Sequence, residues 1–245
     1  MSSRRRSARD RARRELGQNF LVDRGVVRHL VDLLEPAPLP VVELGAGSGA
    51  ITRELLHSGR EVTAVELDPH WASSLRATFP EVRVIRCDML DFRFPATGHA
   101  VIGNLPFGIT TSMTRRLLTE RTWSEAVLLV QWDVARKRAE GGSQLNAQWA
   151  PWYEFQSCGR IPARSFRPMP TVDGGILKVR RRSRPLVPLG EQRRYQRFVE
   201  AVFTGRGRGL TEIVRNVTGC SLRNLPALPR DLPAEDWARL YAEIT

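Results

Sequence analysis

From Val26 to Leu34 apolar residues recur at helical spacing, and Pro36, Pro38 and Pro40 end the run. Val41–Leu44 then reads as a strand, followed by the glycine run Gly45-Ala46-Gly47-Ser48-Gly49 and a helix from Ala50 to His57. Glu61–Glu66 alternates and predicts a second strand; a helix opens at Pro69, a favoured first-turn residue. Val82–Arg86 and His99–Gly103 predict a third and a fourth strand, Thr110–Thr119 a helix, and the strongly apolar Ala126–Val130 a further strand. Strand and helix alternating in this way predict an α/β chain with an open, doubly wound parallel sheet. Tyr153–Ile161 and Gly175–Arg181 read as a late strand pair flanking the proline-rich segment 162–170. Beyond Pro188 the pattern turns helical, over Tyr195–Phe203, Leu210–Val217 and Ala234–Ile244. The expected organisation is therefore an arm over residues 1–14, an α/β domain over 15–184 and a helical domain over 185–245.

Composition changes the picture in one respect, charge. Of the net +12, residues 1–14 carry +6 (7 basic, 1 acidic) and residues 160–223 carry +11 (15 basic, 4 acidic). The block 15–159 is nearly neutral at −3 (14 basic, 17 acidic), and residues 224–245 carry −2 (2 basic, 4 acidic). Positive charge gathered on both sides of a neutral domain suits a polyanion, because each neutralised phosphate releases condensed counterions. Apart from Lys137 and Lys178 the basic residues are arginines, which suits phosphate forks and base stacking but equally follows from a GC-rich genome.

Other bulk features narrow the setting. No stretch approaches the roughly 18 apolar residues that a membrane helix requires. Residues 1–15 lack the apolar core of a secretory signal, although transit peptides share their arginine and serine content. Cys87, Cys158 and Cys220 are too widely spaced for a metal knuckle and read as free thiols, so a cytoplasmic location is expected. His29, His57, His70 and His99 share no ligand spacing either, and no metal is expected.

The glycine run lies between a strand and a helix, where backbone turns tightly, approaches a ligand without Cβ clashes and presents a helix N-terminus. Its G-x-G-x-G spacing departs from the G-x-G-x-x-G of dinucleotide sites, which keeps nicotinamide only as an alternative. Gly45, Ala46 and Gly47 are the candidate cradle. Glu66, followed by Leu67, closes the second strand, where a carboxylate accepts both hydroxyls of a ribose. Asp88, followed by Met89, closes the third, where it accepts from an adenine amine. With Glu43 these make acidic groups at three successive strand ends, the edge at which open α/β sheets bind ligands.

Asn104-Leu105-Pro106-Phe107 follows the fourth strand and carries the chemistry. An exocyclic amine is a poor nucleophile because its lone pair is delocalised into the purine ring. An Asn side-chain oxygen and a neighbouring main-chain carbonyl can accept both amine hydrogens, favour a more tetrahedral nitrogen and free that pair for in-line attack on a sulfonium methyl. Pro106 stiffens the loop, and Phe107 offers a ring against which an extruded base stacks.

Taken together, these motifs resemble the ribosomal RNA adenine N6-methyltransferases. Gly17-Gln18-Asn19-Phe20-Leu21 is similar to that family's N-terminal cofactor motif, and 43–49, Glu66, Asp88 and 104–107 match later ones in order. Phe166-Arg167-Pro168-Met169-Pro170-Thr171-Val172-Asp173 resembles its second aromatic motif. The resemblance spans about 15–181. It implies a Rossmann-like class I sheet of seven mostly parallel strands with a small all-helical C-terminal domain, and S-adenosyl-L-methionine as methyl donor. It further implies that Gln18, Asn19 and Leu21 close over the cofactor, that Asn104 touches the cofactor as well as the base, and that Phe166 covers the second face of the target base. Where relatives often read Asp-Ser, this chain has Asp173-Gly174, which leaves the wall of the base pocket open.

Two branches divide the family. One dimethylates small-subunit rRNA during ribosome assembly; the other, the Erm branch, methylates one adenine in the peptidyl-transferase loop of 23S rRNA and gives macrolide, lincosamide and streptogramin B resistance. Residues 129–138 and 148–155 look like actinomycete Erm proteins, which favours the second branch, acting as a monomer on protein-free or early-assembly 23S rRNA. A non-catalytic RNA-binding protein on the same fold is a rival. A DNA adenine methyltransferase would be expected to carry a large sequence-reading insertion, and none is evident. Candidate RNA contacts are Arg4, Arg5, Arg6, Arg136, Lys137, Arg164, Arg206 and Arg208; Trp123, Trp132, Trp149 and Trp152 divide between base stacking and core packing.

Overall fold

The computed structural model describes residues 19–36, 39–220, 225 and 228–244. A two-residue strand, β1 (Phe20–Leu21), precedes helix α1 (Arg24–Asp32). The Asp23 carboxylate accepts from the Gly25 and Val26 amides and so starts α1 two residues before the apolar spacing begins. Strands β2 (Val41–Leu44), β3 (Val62–Glu66), β4 (Arg83–Arg86) and β5 (His99–Asn104) follow, with α2 (Ala50–His57), α3 (Pro69–Thr78) and α4 (Thr110–Thr119) among and after them. Asp68 caps α3 ahead of Pro69, the same device as at α1.

Next come β6 (Trp123–Gln131), α5 (Trp132–Glu140), α6 (Gln144–Trp149), β7 (Tyr153–Ile161), β8 (Phe166–Arg167) and β9 (Gly174–Arg181). The chain ends in α7 (Gln192–Thr204), α8 (Leu210–Thr218) and α9 (Ala234–Glu243). Seven strands form one sheet in the order β4-β3-β2-β5-β6-β9-β7, while β1 and β8 pair antiparallel on their own. The β2–β3, β3–β4, β2–β5 and β5–β6 ladders are parallel. Central strands buried on both faces read as continuous apolar runs, as in the 126–130 stretch of β6, and β2 departs from this only at Glu43. Their side chains meet Leu30, Leu55 and Leu75 from the helices in a single core with Ile102 and Leu129.

Helices α5 and α6 have no counterpart among the predicted elements. α5 buries only Ala135 and five of its nine residues are charged, so its apolar trace is weak. α6 is six residues long and is started by Ser143, whose hydroxyl accepts from the Asn146 amide.

Compactness divides the chain into two units, the described residues up to Ala135 with Cys158–Lys178, and Arg136–Ser157 with the described residues from Val179 onward. Residues 136–157 and 179–184, placed by sequence with the α/β domain, thus group with the C-terminal helices. The reason lies in the aromatic core of the second unit. Tyr195 meets Trp152 at 5.4 Å and Tyr241 at 5.3 Å between ring centroids, and its hydroxyl donates to the Ala147 carbonyl at 2.9 Å. Some sixty helical residues supply too little apolar surface by themselves, and α6 with Trp152 completes what they bury. Trp123 and Trp152 are core residues, whereas Trp132 stays partly exposed.

Candidate active site

From β2 the chain steps outward through β3 to β4, then returns to β5 on the other flank of β2. Ligands of open α/β sheets bind at such a switch point, outside the carboxyl ends of the strands. Here the switch is unusually tight. Gly103 of β5 lies opposite Leu44 of β2, and a Cβ on it would stand 2.6 Å from the Leu44 carbonyl oxygen, so only glycine fits.

A cavity of about 250 Å³ opens at this point. Of the candidate cofactor residues, Asn19, Leu21, Gly45, Ala46, Gly47, Glu66, Leu67, Asp88, Met89 and Asn104 all line it, as do Leu105, Pro106 and Phe107. Gln18, Arg4, Arg5, Arg6 and the arm over 1–14 lie outside the described residues. Gly47 holds φ at +53°, and a Cβ there would sit 3.0 Å from the Phe20 ring. Phe20, which the sequence reading passed over in favour of its neighbours, therefore closes against the glycine loop and lines the cavity, its ring 5.2 Å from that of Trp71. The signal available was an aromatic inside the Gln18–Leu21 run.

Three carboxylates serve this cavity. Glu66 is 3 % exposed and accepts from the Gly47 amide at 2.7 Å and the Asp68 amide at 2.8 Å. Burial raises its pKa against the opposing pull of those two amides. Glu43, also buried, sits 2.5 Å from the Thr52 hydroxyl, and burial pushes its carboxyl up to about 8, with nearby Glu66 adding to the rise. Asp88 lies two residues beyond the end of β4, and its Oδ1 accepts from the Leu90 amide at 2.8 Å. Buried carboxylates, apolar Leu67, Met89 and Ile109, and a glycine backbone that tolerates close approach fit a cationic nucleoside such as S-adenosylmethionine.

On the other flank the groups are neutral. The Asn104 Nδ2 donates to the main-chain carbonyl of Asn19 at 2.7 Å. That carbonyl accepts only from the NH2 side of the amide, which leaves Oδ1 as the acceptor that Asn104 offers. The Leu105 amide donates to the Leu129 carbonyl at 3.0 Å, pinning the loop to β6, and the Leu105 side chain is buried. Pro106 accepts from the Ile109 amide at 3.1 Å, so the loop closes into a short turn with Phe107 at its start.

Phe166 is placed differently from the expectation. It is 0 % exposed, belongs to the hydrophobic core and does not line the cavity. In the β1–β8 ladder it lies opposite Leu21, so it backs the cavity wall instead of presenting a face to a base. The Asp173-Gly174 departure fits that packing, since a Cβ at Gly174 would stand 3.0 Å from the Phe166 ring. The remaining cationic candidates lie outside the cavity lining: Arg136 and Lys137 on α5, Arg164 in a 3-10 turn, and Arg206 and Arg208 in the exposed loop before α8. Arg136 pairs with Glu140 at 2.9 Å. Among the described residues no group of three or more His, Cys, Asp or Glu is placed to hold a metal, and no helix is long and apolar enough to cross a membrane.

Comparison with known proteins agrees with this geometry. The family model for ribosomal RNA adenine dimethylase matches residues 9–242. The mycinamicin-resistance protein MyrB of Micromonospora griseorubida is 48% identical over 242 residues, covering 94% of this chain and 78% of that protein. An rRNA adenine N-6-methyltransferase of Corynebacterium diphtheriae is 44% identical over 218 residues, 87% of this chain and 86% of that one. The crystal structure of the 23S rRNA methyltransferase ErmE superposes with a TM-score of 0.81 at 31% identity, covering 92% of this chain and 99% of that chain. A sheet that switches at a glycine-lined, carboxylate-rich cavity beside an oriented Asn is thus found in a chain that belongs to the ribosomal RNA adenine dimethylase family, S-adenosylmethionine-dependent methyltransferases acting on rRNA.

Proposed function

We propose that this protein methylates N6 of one adenine in the peptidyl-transferase loop of 23S rRNA and thereby confers resistance to macrolides, lincosamides and streptogramin B. The observation that carries the chemistry is the Asn104 amide, turned by the Asn19 carbonyl so that an oxygen acceptor is offered beside the cavity. The choice of target rests on the Erm-type relatives, one of them a macrolide-resistance protein.

In this reading Glu66 and Asp88 hold the nucleoside part of the methyl donor, and Gly45, Ala46 and Gly47 let the backbone approach it. Asn19, Phe20 and Leu21 cover it, with Leu67 and Met89 against its rings. When bound, S-adenosylmethionine supplies an electrophilic methyl on a sulfonium. Asn104 Oδ1 and a main-chain carbonyl of the 104–106 loop accept the two N6 hydrogens, and Phe107 supports the base. Transfer forms the N6–methyl bond as the sulfur–methyl bond breaks. The extra proton on N6 then leaves to solvent, because neither acceptor is a base at neutral pH. Phe166 acts through Leu21 as a positioning residue. The helical segment 185–245, with Arg206 and Arg208, and the cations Arg136, Lys137 and Arg164 grip RNA phosphates. The substrate is protein-free or early-assembly 23S rRNA, and the enzyme works as a monomer.

The test is transfer of radiolabelled methyl to protein-free large-subunit and small-subunit RNA, followed by primer extension. A stop in the peptidyl-transferase loop of 23S rRNA is the expected result. Label on small-subunit RNA instead would assign the protein to ribosome assembly, and no label on either would leave an RNA-binding protein without catalysis.

A further inference from the structure

A second cleft, of about 470 Å³, opens at the carboxyl end of β6 and is walled by Gln131, Trp132, Asp133, Arg160, Thr171 and Asp173. Nothing in the donor site uses it. Its place follows from the sheet register. Asn104 of β5 lies opposite Leu129 of β6, and Trp132 follows three residues later. Parallel neighbours run about 4.8 Å apart. The cleft therefore lies beside the Asn104–Phe107 loop, on the flank away from β2 and the donor cavity, within reach of a nucleotide adjacent to the one being methylated.

The chemistry of its walls selects the occupant. The Arg160 guanidinium stands 5.8 Å from the centroid of the Trp132 ring. Its Nε donates to Asp173 Oδ2 at 2.7 Å, and the other Asp173 oxygen accepts from the Ala163 amide at 2.8 Å. The Arg160 charge is thereby answered within the protein, while its planar face remains. Asp133 adds a second, exposed carboxylate. The walls carry two carboxylates against one guanidinium, a balance that disfavours a phosphate and suits the exocyclic amine of a base. An indole and a guanidinium plane provide stacking surfaces, and the Gln131 amide and Thr171 hydroxyl provide hydrogen bonds to a base edge. Trp132 is partly exposed, in contrast to the core residues Trp123 and Trp152.

We propose that this cleft holds an unpaired, amine-bearing nucleobase next to the target adenosine and so contributes to the choice of RNA site. The inference rests on the RNA methylation reading given above. It assigns Trp132 and Arg160 to substrate recognition, distinct from the donor cavity and from the phosphate-gripping cations.

The experiment uses the full chain and an RNA stem-loop carrying the target loop, with 2-aminopurine placed in turn at each nucleotide flanking the methylated adenosine. Wild-type protein is expected to quench the fluorophore at one of the two positions, and Trp132→Ala to abolish the quenching. Trp132→Ala is expected to lower kcat/KM for RNA about 10- to 100-fold, as loss of a base–aromatic stack does, with donor affinity unchanged. Trp132→Phe should recover most of the loss. Arg160→Ala, at a side chain 60% exposed and outside the core, should raise KM for RNA without touching donor binding and serves if Trp132→Ala does not fold. Wild-type quenching at neither position, or kcat/KM within twofold of wild type for both alanine variants, would overturn the cleft assignment while leaving the activity in place. A wild-type enzyme that transfers no methyl to this RNA would overturn the functional reading, and this inference with it.

Discussion

The two flanks of the switch point are built from opposite chemistry. At the ends of β2, β3 and β4 stand Glu43, Glu66 and Asp88, carboxylates that burial and backbone amides hold in fixed places. At the end of β5 there is no titrating side chain, only an amide, main-chain carbonyls, a proline and a phenyl ring. Under the proposed reading the first flank holds a cation and the second handles an amine that carries no charge until it attacks. The contrast teaches that binding and chemistry draw on different groups in this protein, and that pH dependence should enter through the binding side.

The sharpest way to break that division is Asn104→Ala. Removing an oriented acceptor that acts in the transition state is expected to lower kcat about 10²- to 10³-fold, with donor affinity within about twofold by calorimetric titration. Parallel loss of donor affinity would merge the two flanks into one. The complementary change, Glu66→Ala, removes a carboxylate whose proposed hydrogen bonds to the donor are of the charged kind. Donor Kd is expected to rise roughly 10- to 100-fold, with kcat at saturation falling far less; an unchanged Kd would take Glu66 out of the donor site.

The smallest expected effect tests the electrostatics. The Glu43 carboxyl titrates near 8, above its ordinary 4.5, so the folded state prefers its neutral form. That contribution to stability is complete below pH 4.5 and is lost as pH rises through about 8. Thermal unfolding across this window should therefore show Glu43→Gln losing less stability than wild type as pH rises. A cationic donor favours the ionised carboxylate, so wild-type donor affinity should climb more steeply through the same range than that of the variant, which keeps Glu66. Identical slopes in the two proteins would mean that Glu43 does not face the donor.

Much of this architecture is legible in sequence because local chemistry dictates it. Buried parallel strands announce themselves as apolar runs, and Pro69 marks a helix start; the Asp23 cap, equally local, starts α1 two residues before the predicted run. The cavity loops after β2, β3, β4 and β5 are legible for the same reason, since each follows its own strand. What sequence does not reveal is settled between distant residues. Phe20 and Phe166 are two aromatics in matching motifs, yet one lines the cavity and the other backs it. The β1–β8 ladder, which joins residues nearly 150 positions apart, decides between them. α6 and Trp152 were obscure likewise, because their buried groups complete an aromatic core whose other half lies beyond residue 190.

Under the proposed reading, the bond from Asn104 Nδ2 to the Asn19 carbonyl also bears on which bases the protein refuses and on when it stops. With its NH2 turned to the Asn19 carbonyl, the amide offers its Oδ1 lone pairs to a visiting base. A 6-oxo purine, whose own lone pairs would face them, is rejected by repulsion and by the acceptors it leaves unsatisfied. An adenine methylated once still carries one N6 hydrogen and keeps one of its two anchors. After a second methylation no hydrogen remains, and the groups that held the substrate have nothing left to hold.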